Sequence, residues 1–156
     1  MDHTQIGLAG EYYVLAQLAH RGLVGALTLS NTKGVDIFVM GADAKRVVKI
    51  EVKTTQKASW RESLFGEERF YMWPMGKKHE TLTDKSLFYV FVLLSVPEEK
   101  PRFFIVSSEV VAKYVRWQHK QRLKSRKQPG KEISLRKFRI KLSDPDGHED
   151  NWGLIK

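Results

Sequence analysis

The sequence predicts a single α/β domain of 156 residues. Three features carry that prediction: a helical run at the N-terminus, a strand and hairpin pattern directly after it, and an unbroken apolar strand near mid-chain. A chain of this length can bury one substantial core. No internal repeat, low-complexity run or linker divides it, so one domain is expected over residues 1–156.

Residues 4–20 read as a helix, because Leu8, Tyr12, Leu15 and Ala19 follow a 4-3-4 spacing that lines one face. Gly22 and Gly25 break the pattern. Residues 26–29, 34–40 and 46–54 read as strands rich in Val, Ile and Phe, with a turn at Gly41-Ala42-Asp43 between the last two. Residues 56–83 read as irregular, broken by Gly66, Pro74 and Gly76, with room for a short strand at 69–73. Residues 87–94 (LFYVFVLL) are apolar on both faces, as a central, doubly covered strand should be.

A Pro97–Pro101 turn leads to a partner strand at 103–106. Ser107 or Ser108 can cap a helix over 109–124, with Glu109 in its first turn and basic residues at its end. Gln128-Pro129-Gly130 ends that helix, and residues 133–142 alternate as a last strand. The tail holds a turn and a final helical turn. Its Asp144, Asp146, His148 and Asp150 lack the ligand spacing and terminal glutamate of a calcium loop.

The formal net charge is +9, which favours a polyanionic partner through release of condensed counterions. The absence of cysteine excludes disulfides, thiolate metal sites and cysteine nucleophiles. No segment is long and apolar enough to span a membrane, and the N-terminus has no secretory pattern. A cytoplasmic protein with no membrane partner is expected.

Three positions break the apolar patterning. Glu11 falls between Leu15 and Leu18 on the helical wheel, inside the apolar arc, where a carboxylate is costly unless paired; at the edge of the arc it would instead reach solvent. Asp36 interrupts the strand GVDIFVM and is a poor strand former, although it would also suit the end of a turn. In KIEVKT, alternation sends Val48, Ile50 and Val52 inward and Lys49, Glu51 and Lys53 to the opposite face. A solvated charged face would give that same pattern.

A hairpin joining the second and third strands would bring Asp36 towards Glu51 and Lys53. Two carboxylates about 4 Å apart repel by about 4 kcal/mol at an effective dielectric near 20. A divalent cation held by hard oxygen ligands removes that penalty. A neighbouring lysine can then orient or deprotonate water, or neutralise phosphorane-like charge.

Gly10-Glu11 on the first helix, Asp36 in GVDIFV and Glu51-Val52-Lys53 in KIEVKTT resemble the PD-(D/E)xK nuclease superfamily, which includes restriction endonucleases and archaeal Holliday-junction resolvases. The likeness covers residues 4–55 well and the later strands in outline, with Val35 standing where the motif has proline. It implies a restriction-endonuclease-like mixed central sheet flanked by helices, and hydrolysis of nucleic-acid phosphodiesters with Mg2+, for which Mn2+ can substitute. By that resemblance Asp36 and Glu51 bind metal, the Val52 carbonyl adds a ligand, Glu11 contributes through water, and Lys53 serves the nucleophile.

Residues 113–131 carry Lys113, Arg116, Lys120, Arg122, Lys124, Arg126, Lys127 and Lys131 with no acidic residue among them. Lys120, Arg122, Lys124 and Arg126 are expected to contact phosphates, although a solvated helix end explains a few of these charges. Lys137, Arg139 and Lys141 alternate along the last strand and would extend that surface. Trp60 and Arg61, just past the catalytic strand, are the expected substrate contacts among the aromatic and basic residues of 56–78, most of which suit core or lid positions.

The reading is thus a Mg2+-dependent endonuclease acting on nucleic acid, with DNA favoured over RNA. A symmetric homodimer would most easily cut both strands of a duplex. The alternatives are a non-catalytic nucleic-acid-binding module on the same fold, and a basic interaction protein in which the four residues never meet.

Overall fold

The structure, a computed structural model, describes residues 2–29, 34–40, 46–56, 59–125 and 134–155. Helix α1 (His3–His20) begins at Asp2, whose carboxylate accepts from the Gln5 N–H while the Gln5 side chain accepts from the Asp2 N–H. This reciprocal cap satisfies two otherwise orphaned donors. The helix buries Gly10, Val14 and Leu18 and packs Ile6, Ala9 and Leu15 beside them. Leu8 is 45% and Tyr12 56% exposed, so the face expected from Leu8, Tyr12, Leu15 and Ala19 is not the packed one. Apolar residues lie nearly all round this helix, so periodicity alone could not select the row that the sheet uses.

Among the described residues, the strands up to the second helix are β1 (Val24–Leu27), β2 (Ile37–Met40), β3 (Val47–Thr55), β4 (Phe70–Gly76), β5 (Leu87–Leu93) and β6 (Arg102–Ser107). Helix α2 (Ser108–Lys124) and strand β7 (Leu135–Lys141) follow, and a short 3₁₀ turn at Trp152–Ile155 closes the described chain. The main sheet has the order β1-β2-β3-β5-β6. β3 and β5 run parallel and the other neighbours antiparallel. The expected mixed sheet flanked by helices is therefore present. β1 starts two residues earlier than expected and includes Gly25, and the turn assigned to Gly41-Ala42-Asp43 lies outside the described residues.

A parallel β3–β5 step needs a crossover, and residues 56–86 supply it. Inside that stretch, expected to be irregular, β4 pairs antiparallel with β7 as a separate two-stranded sheet. Pro74 is accommodated because its partner Lys137 turns its N–H away from β4, to the Gln118 side chain at 3.2 Å. The pair is thus not hydrogen-bonded, and the missing proline N–H removes no ladder bond.

β5 is buried along its whole length, as its apolar run requires. One face of the sheet packs Val48, Ile50, Val52, Val90 and Val92 against α1 and the Trp152–Ile155 turn. The other packs Tyr89 and Phe91 against Trp73 and Phe138 of β4 and β7 and against Val111 and Val115 of α2. Among the described residues, no helix is long and apolar enough to cross a membrane.

Candidate active site

The site forms where β3 outruns β2. Ile37↔Ile50 is the final residue pair between them, and β3 continues to Thr55 with its β2-side edge open. The Asp36 N–H reaches back to the Ile50 carbonyl at 2.8 Å. Val52, two residues on, presents its backbone to the same edge, and its N–H donates to Asp36 Oδ2 at 2.7 Å. A side chain thus takes over the ladder where the neighbouring strand ends, which fixes the Asp36 carboxylate beside the Val52 backbone. Burial pushes the Asp36 carboxyl up, and repulsion from Glu51 adds to it; the Val52 bond and the charges of Lys53 and Lys78 oppose the shift without cancelling it.

Glu51 occupies the β4–β7 side of β3 and is 2% exposed. Its alternation was as expected, but the face is roofed rather than solvated. Oε1 receives Lys53 Nζ at 2.7 Å, with Lys78 Nζ at 3.5 Å and His79 Nε2 at 3.6 Å. Oε2 is buried and has no hydrogen-bond partner among the described residues. Gly34, at φ 79°, lies against that oxygen, since a Cβ there would sit 3.6 Å from Oε2. Burial alone would raise the Glu51 carboxyl. Lys53 leads the opposing pull by charge and hydrogen bond, with His79 and Lys78 behind it, and the balance holds Glu51 below the usual range.

His79 is buried, and burial pulls its imidazole down to about 4. It is therefore neutral at neutral pH and meets Glu51 as a dipole, not as a cation. Its Nδ1 lies 2.7 Å from the Tyr89 hydroxyl, which burial keeps protonated. A proton donated by Tyr89 to Nδ1 leaves the Nε2–H facing Glu51, the tautomer with an attractive contact on both sides.

Glu11 reaches the site from α1 because that helix lies unusually close to β3. A Cβ on Gly10 would fall 1.9 Å from Thr54 Oγ1, so only glycine permits the approach. Burial raises the Glu11 carboxyl, repulsion from Asp36 raises it further, and Lys53 pulls against both. Glu11, Asp36, Glu51 and Lys53 therefore share one electrostatic centre. Among the described residues, no three His, Asp or Glu side chains converge closely enough to form a metal cage by themselves.

The outer contacts are more scattered. Trp60 is 44% exposed and lines a cavity of about 510 Å³ with Thr54 and Thr55, at the end of β3. Arg61 is exposed. Lys120 and Lys124 are exposed along α2, but the Arg122 guanidinium is ion-paired with Glu62. That acid comes from outside the basic run, so the run is less free than its composition suggests. Arg116 bonds the Glu80 carbonyl, which ties α2 to the turn carrying Lys78 and His79. Arg126 lies outside the described residues. The sequence reading missed Lys78, His79 and Tyr89; their one signal, the basic cluster Lys77-Lys78-His79, sits in a stretch with no readable periodicity.

The backbone matches that of a solved bacterial homing endonuclease, I-Ssp6803I, with a TM-score of 0.60 over 99% of this chain and 91% of that one. The two share a fold. Their sequences are 15% identical, so the likeness reaches the architecture alone. No protein-family model and no curated protein matches the chain.

Proposed function

We propose that this chain is a Mg2+-dependent endonuclease of the PD-(D/E)xK type acting on DNA, with Mn2+ also competent. The observation that carries the reading is the pairing of a buried, unpartnered Glu51 Oε2 with an Asp36 carboxylate whose charge is disfavoured by burial and by Glu51. Both oxygens are hard ligands that a divalent cation would satisfy at once. Magnesium typically takes one or two carboxylates and completes its shell with water and substrate phosphate. The lack of a three-residue cage fits that habit. The Val52 carbonyl, on the same open edge as Asp36, is a further ligand. The fold shared with a homing endonuclease supports a nucleic-acid substrate, as does the +9 charge.

A magnesium ion bound there would supply a polarised phosphodiester and a more acidic water. Asp36 and Glu51 hold the cation, with Asp36 kept in place by the Val52 N–H. Lys53, at present on Glu51 Oε1, lies where it can turn to an attacking water or to a phosphate oxygen. Glu11 accepts a hydrogen bond from water on the helix side. Two copies in a symmetric pair would deliver a cut to each strand of a duplex.

The rival reading is a nucleic-acid-binding module that does not cut, and the lysine contacts already neutralising Glu51 favour it. Labelled DNA and RNA structures incubated with Mg2+ or Mn2+ decide between the two. Wild-type protein should cut DNA. Lys53→Ala and Asp36→Asn should bind it nearly unchanged and leave it whole. Cleavage at wild-type rates by either variant would sink the mechanism, and tight binding without any cutting by the wild type would select the rival.

A further inference from the structure

On the far side of the β4–β7 sheet, towards α2, lies a second cavity of about 300 Å³. Phe65, Phe70, Tyr114 and Trp117 form its aromatic lining, and Arg139 and Lys141 supply positive charge. The Arg139 side chain is 3% exposed. Its Nη2 donates to Glu62 at 2.8 Å, but Nε and Nη1 are buried with no acceptor. The guanidinium lies over the Phe65 ring at 3.9 Å and near Phe70 at 5.2 Å. Such stacking covers its flat faces, and the Tyr114 hydroxyl is a polar neighbour of its edge.

Lys141 is itself within 3.8 Å of the Glu68 carboxylate. Glu62 serves both Arg139 and Arg122, so one carboxylate faces two guanidinium groups. Asp146 on the rim is 77% exposed and lies 3.9 Å from the His148 ring. An aromatic-walled space lined by a buried guanidinium and a lysine suits a planar ring joined to an anionic group. Trp117, 45% exposed and edge-on to Phe65 at 5.9 Å, offers the surface on which such a ring can lie.

We infer that this cavity is a nucleotide site, in which a phosphate meets the Arg139 guanidinium and Lys141 while the base lies against Trp117 and Phe65. The choice of nucleotide over other aromatic anions rests on the proposed function. The source is either a strand held away from the cutting centre or a free mononucleotide.

The test follows the Trp117 indole N–H and the Arg139 Nε–H by 1H–15N NMR in metal-free protein. Three probes are titrated in turn: an eight-nucleotide single strand, thymidine monophosphate and inorganic phosphate. Shifts at both groups with the strand alone assign the site to the substrate; shifts with the mononucleotide as well assign it to a free or terminal nucleotide. Trp117→Ala and Arg139→Gln should each weaken that binding at least tenfold. Trp117 is a surface residue of α2, so its variant keeps the test valid if Arg139→Gln fails to fold. Absence of shifts, equal affinity in Trp117→Ala, or equal response to inorganic phosphate would overturn the inference. Cleavage is assayed separately: a strand that binds here but is never cut leaves this site standing and removes the nuclease reading.

Discussion

On the α1 side of the main sheet, Val14, Leu18, Ile37, Ile50, Val52 and Val90 pack with no buried ionisable group among them, whereas the β4–β7 side also buries Glu51, His79, Arg136 and Arg139. Both sides exclude water, but they hold the molecule together by different means. The first needs only shape and apolar area. The second carries charges that are costly unless paired, and it pairs most of them: Arg136 with Glu80, Arg139 with Glu62, and Glu51 with Lys53. The atoms left over among the described residues are Glu51 Oε2 and two Arg139 nitrogens. Apolar packing and buried charge are thus largely divided between the two sides of the main sheet, with Glu11 reaching across from α1.

The largest effect expected from that division is on stability at the apolar face. Ile50→Ala should cost about 2–5 kcal/mol in urea unfolding, because Ile50 is wholly buried and its neighbours cannot close the gap. A loss below about 1 kcal/mol would show that this face is not close-packed. On the polar face, acid should act through His79. Its folded pKa of about 4 lies below the unfolded value of 6.5, so the unfolded chain takes up the proton first. Stability is then level above pH 6.5 and falls by up to about 3 kcal/mol as pH drops towards 4. Asp36 and Glu11, whose carboxyls are raised, act in the opposite sense and gain stability as they protonate. Unfolding midpoints of wild type against His79→Gln across this range isolate the histidine. Parallel curves would mean that His79 is not buried neutral.

Gly10→Ala should cost about 1–3 kcal/mol, since the new Cβ meets Thr54 and pushes α1 off β3. Cleavage should fall with it, because Glu11 moves away from the centre. Adding Thr54→Ala should recover part of both losses, and strict additivity of the two changes would deny the contact. The smallest effect runs in the favourable direction. Asp36→Asn removes a disfavoured charge while its carboxamide oxygen still accepts from the Val52 N–H. Metal-free protein should therefore melt slightly higher in that variant, and a lower melting temperature would show the charge to be stabilising.

The two faces also differed in how far the sequence revealed them. The apolar strand at 87–94, the β2–β3 hairpin and the alternation through Glu51 and Lys53 are local patterns, and they bring Asp36 towards Glu51 and Lys53, whereas Glu11 joins them only through the family resemblance. The packed row of α1 was not legible, because Leu8 and Tyr12 look as apolar as the residues that are buried. Lys78, His79 and Tyr89 around Glu51, and Glu62 between Arg122 and Arg139, were not legible for a different reason. Each depends on the crossover that carries β4 over the sheet, and pairings set by a crossover leave no periodic trace in the chain.

Paramagnetic broadening by Mn2+ tests the central claim most directly, because it locates a cation without requiring catalysis. In a 1H–15N titration, the amides of Gly34, Asp36, Val52 and Lys53 should broaden first, at the lowest Mn2+ concentrations, and excess Mg2+ should restore them. Asp36→Asn should abolish the effect at those concentrations. Broadening that instead begins in the acidic turn around Asp144, Asp146 and Asp150, or that survives unchanged in Asp36→Asn, would contradict a metal centre at the open edge of β3.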